Sequence, residues 1–270
     1  MLRLSMNELT TLRWTFEQDV AEFSAAGYSG IGVWRQKLSD IGEDLGIDLL
    51  REHGLRVSNL LWAGGFTGSD GRSYRESVQD AIEAIRTAAR LDAECLILYS
   101  GARAGHTRGH ARRLVKNALV DLLPFAEEFG VTLAVEPMHP GCGDEWTFLT
   151  SLEQTLALID PLESPYLKLV LDTYHCGWDQ PSLRLFSDVA NRIAIVHLGD
   201  GHHCPCGEQN RCPLGQGNVP IREIVNTLVK AGYDGFLDVE LMGEEVESID
   251  YRVLLGQSRG VLQEIVGASN

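Results

Sequence analysis

The 270-residue chain is predicted to fold as an α/β protein of the (β/α)8 TIM-barrel class. Three observations carry that expectation. Eight short apolar, β-branched runs bounded by Gly or Pro alternate with amphipathic stretches. Most of the runs (CLILYS, LKLVLD, IAIVHL) are apolar nearly throughout, as parallel strands covered on both faces require. The first run is followed by NELTTLRW rather than G-x-G-x-x-G, which disfavours a doubly wound dinucleotide-binding sheet.

The predicted strands are Leu2–Met6, Gly30–Trp34, Arg56–Trp62, Cys95–Ser100, Thr132–Met138, Lys168–Tyr174, Ile193–Gly199 and Gly235–Met242. Between them the helices show their ends. Thr15 caps the first, whose apolar positions Phe16, Val20, Phe23 and Ala26 keep a helical period until Gly27. Ser73 opens a long one running through Val78, Ala81, Ile82, Ile85 and Ala88. Leu114, Ala118, Leu122 and Phe125 line the next, which stops at Gly130. Val219–Pro220 starts another, with Ile224, Leu228 and Ala231 inward and Gly232 at its end. No Pro/Ser-rich linker breaks the chain, so residues 1–270 are expected to form a single domain.

Composition narrows the function. Hydrophobic residues make up 44% of the chain, enough for a sizeable core, and 38 acidic against 23 basic residues give a net charge of −15. Such a field repels phosphate backbones and anionic lipid, so neither nucleic acid nor membrane is an expected partner. The N-terminal stretch lacks the apolar core of a secretory signal and no run is long enough to span a bilayer, which points to a cytoplasmic protein. Its six cysteines are then expected to stay reduced. Cys95 reads as a small core residue.

Chemically capable residues gather where the last four strands finish, the rim at which barrels of this class carry their chemistry. The fifth run ends with Glu136, followed by His139. The sixth ends with Asp172 and His175, the seventh with His197 and Asp200, and the eighth with Glu240. Buried singly, each group is costly, and three carboxylates from neighbouring strands repel one another. One divalent cation held by Glu136, Asp172, His197 and Glu240 relieves both problems. Their mostly hard oxygen donors suit Mn²⁺ or Mg²⁺, and the single imidazole admits Zn²⁺, Co²⁺ or Fe²⁺.

These residues resemble the pattern of the xylose isomerase-like TIM barrels, the sugar phosphate isomerase/epimerase group that also includes dehydratases, lyases and type-IV AP endonucleases. The resemblance covers essentially the whole chain, with its specific motifs in residues 131–242. It implies one divalent metal on the four residues named, His175 facing the substrate, and Arg211 of NRCPLGQGNVP matching an Arg ahead of a Gly-x-Gly turn. It further implies an isomerase or epimerase of a small polyhydroxylated carbonyl substrate, with a homo-oligomeric assembly common among members. The metal would stabilise an enediolate while Glu136 and Glu240 move a proton on opposite faces. The alternative outcome is a dehydratase or lyase of the inosose or 3-dehydroshikimate type, in which His139, His175 or Tyr174 protonates a leaving hydroxyl. A non-catalytic sugar-binding barrel is the remaining alternative.

The third and fourth strands end NLLWAGG and LILYSG, without the extra His ligands that an endonuclease of this group needs. Trp34, Trp62 and Phe66 are expected either in the core or as a wall around the pocket. The second strand, GIGVWR, carries Gly32 where many members have Glu. In the loop GDGHHCPCGEQNRC, His202, His203, Cys204, Cys206 and Cys212 suit Zn²⁺ but match no Cys-x2-Cys pair, and a lid over the substrate is the preferred reading. The basic stretch Arg103 to Arg113 is expected to be a solvated helix start.

Overall fold

In the computed structural model, which describes residues 3–178 and 180–267, eight parallel strands close on themselves in chain order. They are β1 (Arg3–Asn7), β2 (Gly30–Trp34), β3 (Arg56–Gly64), β4 (Leu96–Tyr99), β5 (Leu133–Val135), β6 (Leu167–Asp172), β7 (Ile193–Leu198) and β8 (Phe236–Val239). Around them lie α1 (Phe16–Ala25), α2 (Arg35–Ile41), α3 (Glu43–His53), α4 (Tyr74–Arg90), α5 (Arg108–Phe129), α6 (Leu152–Ile159), α7 (Thr173–Cys176), α8 (Gln180–Val189), α9 (Ile221–Lys230), α10 (Glu244–Glu247) and α11 (Tyr251–Gly267). The predicted (β/α)8 barrel is the observed fold. Among the described residues no helix is long and apolar enough to cross a membrane.

Capping explains several helix starts. Thr15 and Gln18 form a reciprocal capping box on α1, and Ser73 with Glu76 forms another on α4. Thr107 caps α5, so the basic stretch Arg103 to Arg113 contains a helix start. Two helices, α2 and α3, lie between β2 and β3, divided at Gly42, whose φ is +85°. Tyr174, predicted at the end of the sixth strand, lies instead on the single turn α7, because the Asp172 carboxylate accepts the N–H groups of Tyr174 and His175 and turns the chain.

Two cores follow from the alternation of strand side chains. Leu133, Val135, Leu169, Leu171, Val196, Leu198, Leu237 and Val239 face the helices in one large core. Ala134, Val170, Ile195 and Phe236 face inward, where with Leu61, Ile97 and Tyr99 they fill the barrel.

A buried ion pair ties the first two βα units together. Lys37 of α2 pairs with Asp19 of α1, and its ammonium also donates to the Thr11 carbonyl at 2.9 Å. Both side chains are almost wholly buried. Beside them Glu8, just after β1, accepts the Trp34 N–H at 2.7 Å, fixing the end of β2. Burial and the neighbouring Asp19 push the Glu8 carboxyl well above the ordinary range. Lys37→Met would strand the Asp19 carboxylate. It should cost about 3–5 kcal/mol, read as a lower urea midpoint with an unchanged m-value. An unaltered midpoint would show that this pair does not lock the fold.

Candidate metal centre

Strand periodicity places the site. Extending the inward rows by two residues from Ala134, Val170, Ile195 and Phe236 gives Glu136, Asp172, His197 and Asp238, and two further gives Glu240. Asp172 is in register with His197, and His197 with Asp238, so these three share one level of the barrel. Glu136 and Glu240 lie just past their strands but stay extended, their N–H groups donating to the Leu98 and Leu198 carbonyls at 3.1 Å each. Pro137 ends the ladder after Glu136, having no N–H to give.

Donor atoms of Glu136, Asp172 and His197 all lie within 4.8 Å of one another, and all three residues are buried. Glu240 lies outside that trio yet touches it: its Oε2 is 3.0 Å from His197 Nδ1, which Glu136 Oε1 approaches to 3.8 Å. Arg211 bridges the remaining charges, with Nη2 3.0 Å from Asp172 Oδ2 and 3.2 Å from Glu240 Oε1. Its Nη1 donates to the Glu240 carbonyl at 2.8 Å, and the guanidinium lies over the Tyr174 ring at 4.9 Å. Arg211 is 2% exposed.

The electrostatics are those of a site short of positive charge. Burial raises the Glu240 carboxyl to about 7, with Glu136 and Asp172 adding to the rise against His197 and Arg211. Burial alone would lower His197, but Glu240, Glu136 and Asp238 outweigh it and hold the imidazole at about 10. Asp172 is lowered although burial opposes it, because the Arg211 guanidinium, both histidines and the His175 N–H favour its charged form. Glu136 Oε2 and His197 Nε2 are buried without a hydrogen bond, and Asp172 Oδ2 and His197 Nδ1 have only the charged neighbours named above. Such orphaned donors, of mixed oxygen and nitrogen type, fit a divalent cation.

Around the centre the predicted substrate residues take distinct places. His175, 4% exposed, turns Nδ1 toward the His139 N–H at 3.3 Å and toward Cys142 Sγ at 3.7 Å. Burial drops its imidazole to about 3, so the ring is neutral. With Nδ1 accepting, the proton sits on Nε2, which is buried and has no hydrogen-bond partner. His139, from the loop after β5, reaches Cys204 Sγ at 3.2 Å. Trp34 and Trp62 stack at 6.5 Å, and Trp62 meets Tyr99 and Trp146 at 5.6 and 5.3 Å, an aromatic wall on the β2–β4 side. Phe66 belongs to the outer core instead.

Asp200 organises the loop after β7. Its carboxylate accepts from Gly201, Gly215, Gly217 and Val219 N–H groups at 2.8–3.2 Å. Among the described residues, no three of the loop's His and Cys side chains come close enough to share a metal. None of the cysteines there forms a disulfide. Sequence reasoning passed over Asp238, although FLDVEL puts it on the same strand face as Glu240. Its Oδ2 accepts from Asn7 and Asn59 side-chain amides at 2.8 Å each.

A closed parallel barrel with buried carboxylates and an imidazole converging at its C-terminal rim defines a class of protein: a (β/α)8 barrel with a metal-type centre. The chain belongs to the xylose isomerase-like TIM barrel family, whose model matches residues 20–264. It is 29% identical over 219 residues to the ketose 3-epimerase of Arthrobacter globiformis, covering 77% of this chain and 71% of that one. The fructoselysine 3-epimerase of Escherichia coli O157:H7 is 24% identical over 253 residues, covering 85% and 86%. Among solved structures, the IOLI protein with a bound zinc atom superposes at a TM-score of 0.86 with 19% identity, covering 100% and 99% of the two chains.

Were a cation held by Glu136, Asp172, His197 and Glu240 together, it would expel the protons that Glu240 holds below about 7 and His197 below about 10. Apparent affinity should therefore rise with pH, by about two decades per unit below pH 7 and about one between 7 and 10. Titration calorimetry in buffers of different ionisation enthalpy reads the released protons. Affinity constant from pH 6 to 9 would contradict this ligand set.

Proposed function

We propose that the protein is a divalent-metal-dependent isomerase or epimerase of a small polyhydroxylated carbonyl compound, with Mn²⁺ as the resident ion. The observation that carries the reading is the convergence of Glu136 and Glu240, from β5 and β8, on one ring nitrogen of His197, each with a carboxylate oxygen near Nδ1. Glu136, Asp172, His197 and Glu240 would hold the ion. When bound, it supplies Lewis-acid stabilisation of the charge that develops on substrate oxygen. The 3-epimerase and isomerase names of the relatives, and a zinc-holding protein of the same fold, support this reading.

The chain's own residues account for the remaining steps. One glutamate removes the proton from the carbon beside the carbonyl, and the other returns one. His175 Nε2–H is a neutral donor for a substrate oxygen. Arg211 holds the Asp172 and Glu240 carboxylates in place and contributes positive charge where the oxyanion forms. The Trp34–Trp62 wall excludes water from that face.

A panel of ketoses incubated in D2O with the Mn²⁺-loaded protein should gain one deuterium at the carbon next to the carbonyl. Glu136→Gln and Glu240→Gln should each lower that exchange by about 10²–10⁴ while the fold is retained. Absence of exchange across the panel would overturn the proposal, and loss of water from an inosose or from 3-dehydroshikimate would establish the dehydratase chemistry in its place.

A further inference from the structure

Asp238 has no part in the chemistry above, yet it is a fully buried carboxylate at the level of Asp172 and His197. Filling space there requires no charge, and burying one costs several kcal/mol unless it is compensated. The compensation is built from three side chains on two strands. Asn7 on β1 and Asn59 on β3 both donate to Oδ2 at 2.8 Å, and Ser58 donates to Oδ1 at 3.4 Å. Asn7 is itself oriented, because its Oδ1 accepts the Leu9 N–H at 3.0 Å, and its amide nitrogen also reaches Glu240 Oε2 at 3.3 Å. One amide thus joins Asp238 to Glu240.

The facing strand leaves room for this carboxylate. A Cβ at Gly32 would lie 2.7 Å from Asp238 Oδ2, 2.8 Å from Asn7 Nδ2 and 3.0 Å from Asn59 Nδ2, too close for any side chain without displacing the group. The anchored oxygen sits 3.8 Å from His197 Nε2, beyond hydrogen-bond length, so it acts on the ring through its charge, while His197 Nδ1 turns toward Glu240 and Glu136. The imidazole lies between two sets of carboxylates, one belonging to the centre and one outside it.

We infer that Asp238 is a positioning residue: seated in the gap at Gly32 by Asn7 and Asn59, it fixes the His197 ring so that Nε2 keeps its proton and Nδ1 faces the metal. The inference rests on the metal-dependent reading above. A carboxylate behind a metal-bound imidazole sets its tautomer and raises its basicity, and losing such a partner typically weakens metal binding by 10–100-fold.

The test compares wild type, Asp238→Asn and Gly32→Ala after stripping and titration with Mn²⁺, and reads the ring nitrogens of His197 by ¹⁵N NMR in the Zn²⁺-loaded proteins. Both variants should bind Mn²⁺ roughly 10–100-fold more weakly. In wild type, Nδ1 should be the metal-bound nitrogen and Nε2 the protonated one. Gly32→Ala reaches Asp238 without altering the carboxylate, so it serves if Asp238→Asn does not fold. Melting of the metal-free proteins reports the packing contribution separately. Wild-type affinity in both variants, a lower melting temperature with unaltered affinity, or coordination through Nε2 would overturn the inference. Failure of the wild type to take up either ion would instead overturn the functional reading, and this inference with it.

Discussion

The structure is organised around a concentration of negative charge at one end of a closed barrel. Glu136, Asp172, Asp238 and Glu240 are all buried there, and the permanent cation among them is Arg211. Like charges at such separations in a low-dielectric setting cannot all remain ionised without a counter-charge. The protein meets this partly with the Arg211 bridge, partly with hydrogen bonds to Asp172 and Asp238, and partly by protonating His197 and raising Glu240. What these leave uncompensated is the electrostatic basis of a cation site.

The bridge and the hydrogen bonds to Asp172 and to Asp238 each depend on a different part of the chain. Arg211 comes from the long loop after β7, which Asp200 folds back by collecting four backbone N–H groups. The Asp172 carboxylate is held by the turn that it caps itself, α7, and that turn sets His175 beside it. Asp238 is held by residues from the opposite side of the barrel, β1 and β3. The centre is therefore stabilised by closure of the barrel as much as by any local motif.

The aromatic side of the mouth has a different physical character. Trp34, Trp62, Tyr99 and Trp146 come from β2, β3, β4 and the loop after β5, opposite the charged residues of β6–β8. A polar face and an apolar face across one opening suit a ligand that presents hydroxyls on one side and C–H groups on the other. The Glu8 hydrogen bond to the Trp34 N–H anchors this wall to the buried Lys37–Asp19 pair beneath it.

Much of this was legible in residue order. The strand count, the all-apolar runs and the caps at Thr15 and Ser73 are local properties, and so is the recurrence of Glu136, Asp172, His197 and Glu240 at strand ends, because a period of two assigns each to the inner face. Other features were decided only when the chain closed. Tyr174 left its strand for a helical turn, and His139 met Cys204 from the loop after β7. The loop cysteines and histidines did not converge on a metal, since the loop's path is set by Asp200 and not by their spacing. Asp238 gained its partners from strands far away in sequence, and Gly32 its purpose from a carboxylate more than two hundred residues later. Periodicity reports which face a side chain takes, but contact across a barrel depends on register and closure, which no local stretch of sequence encodes.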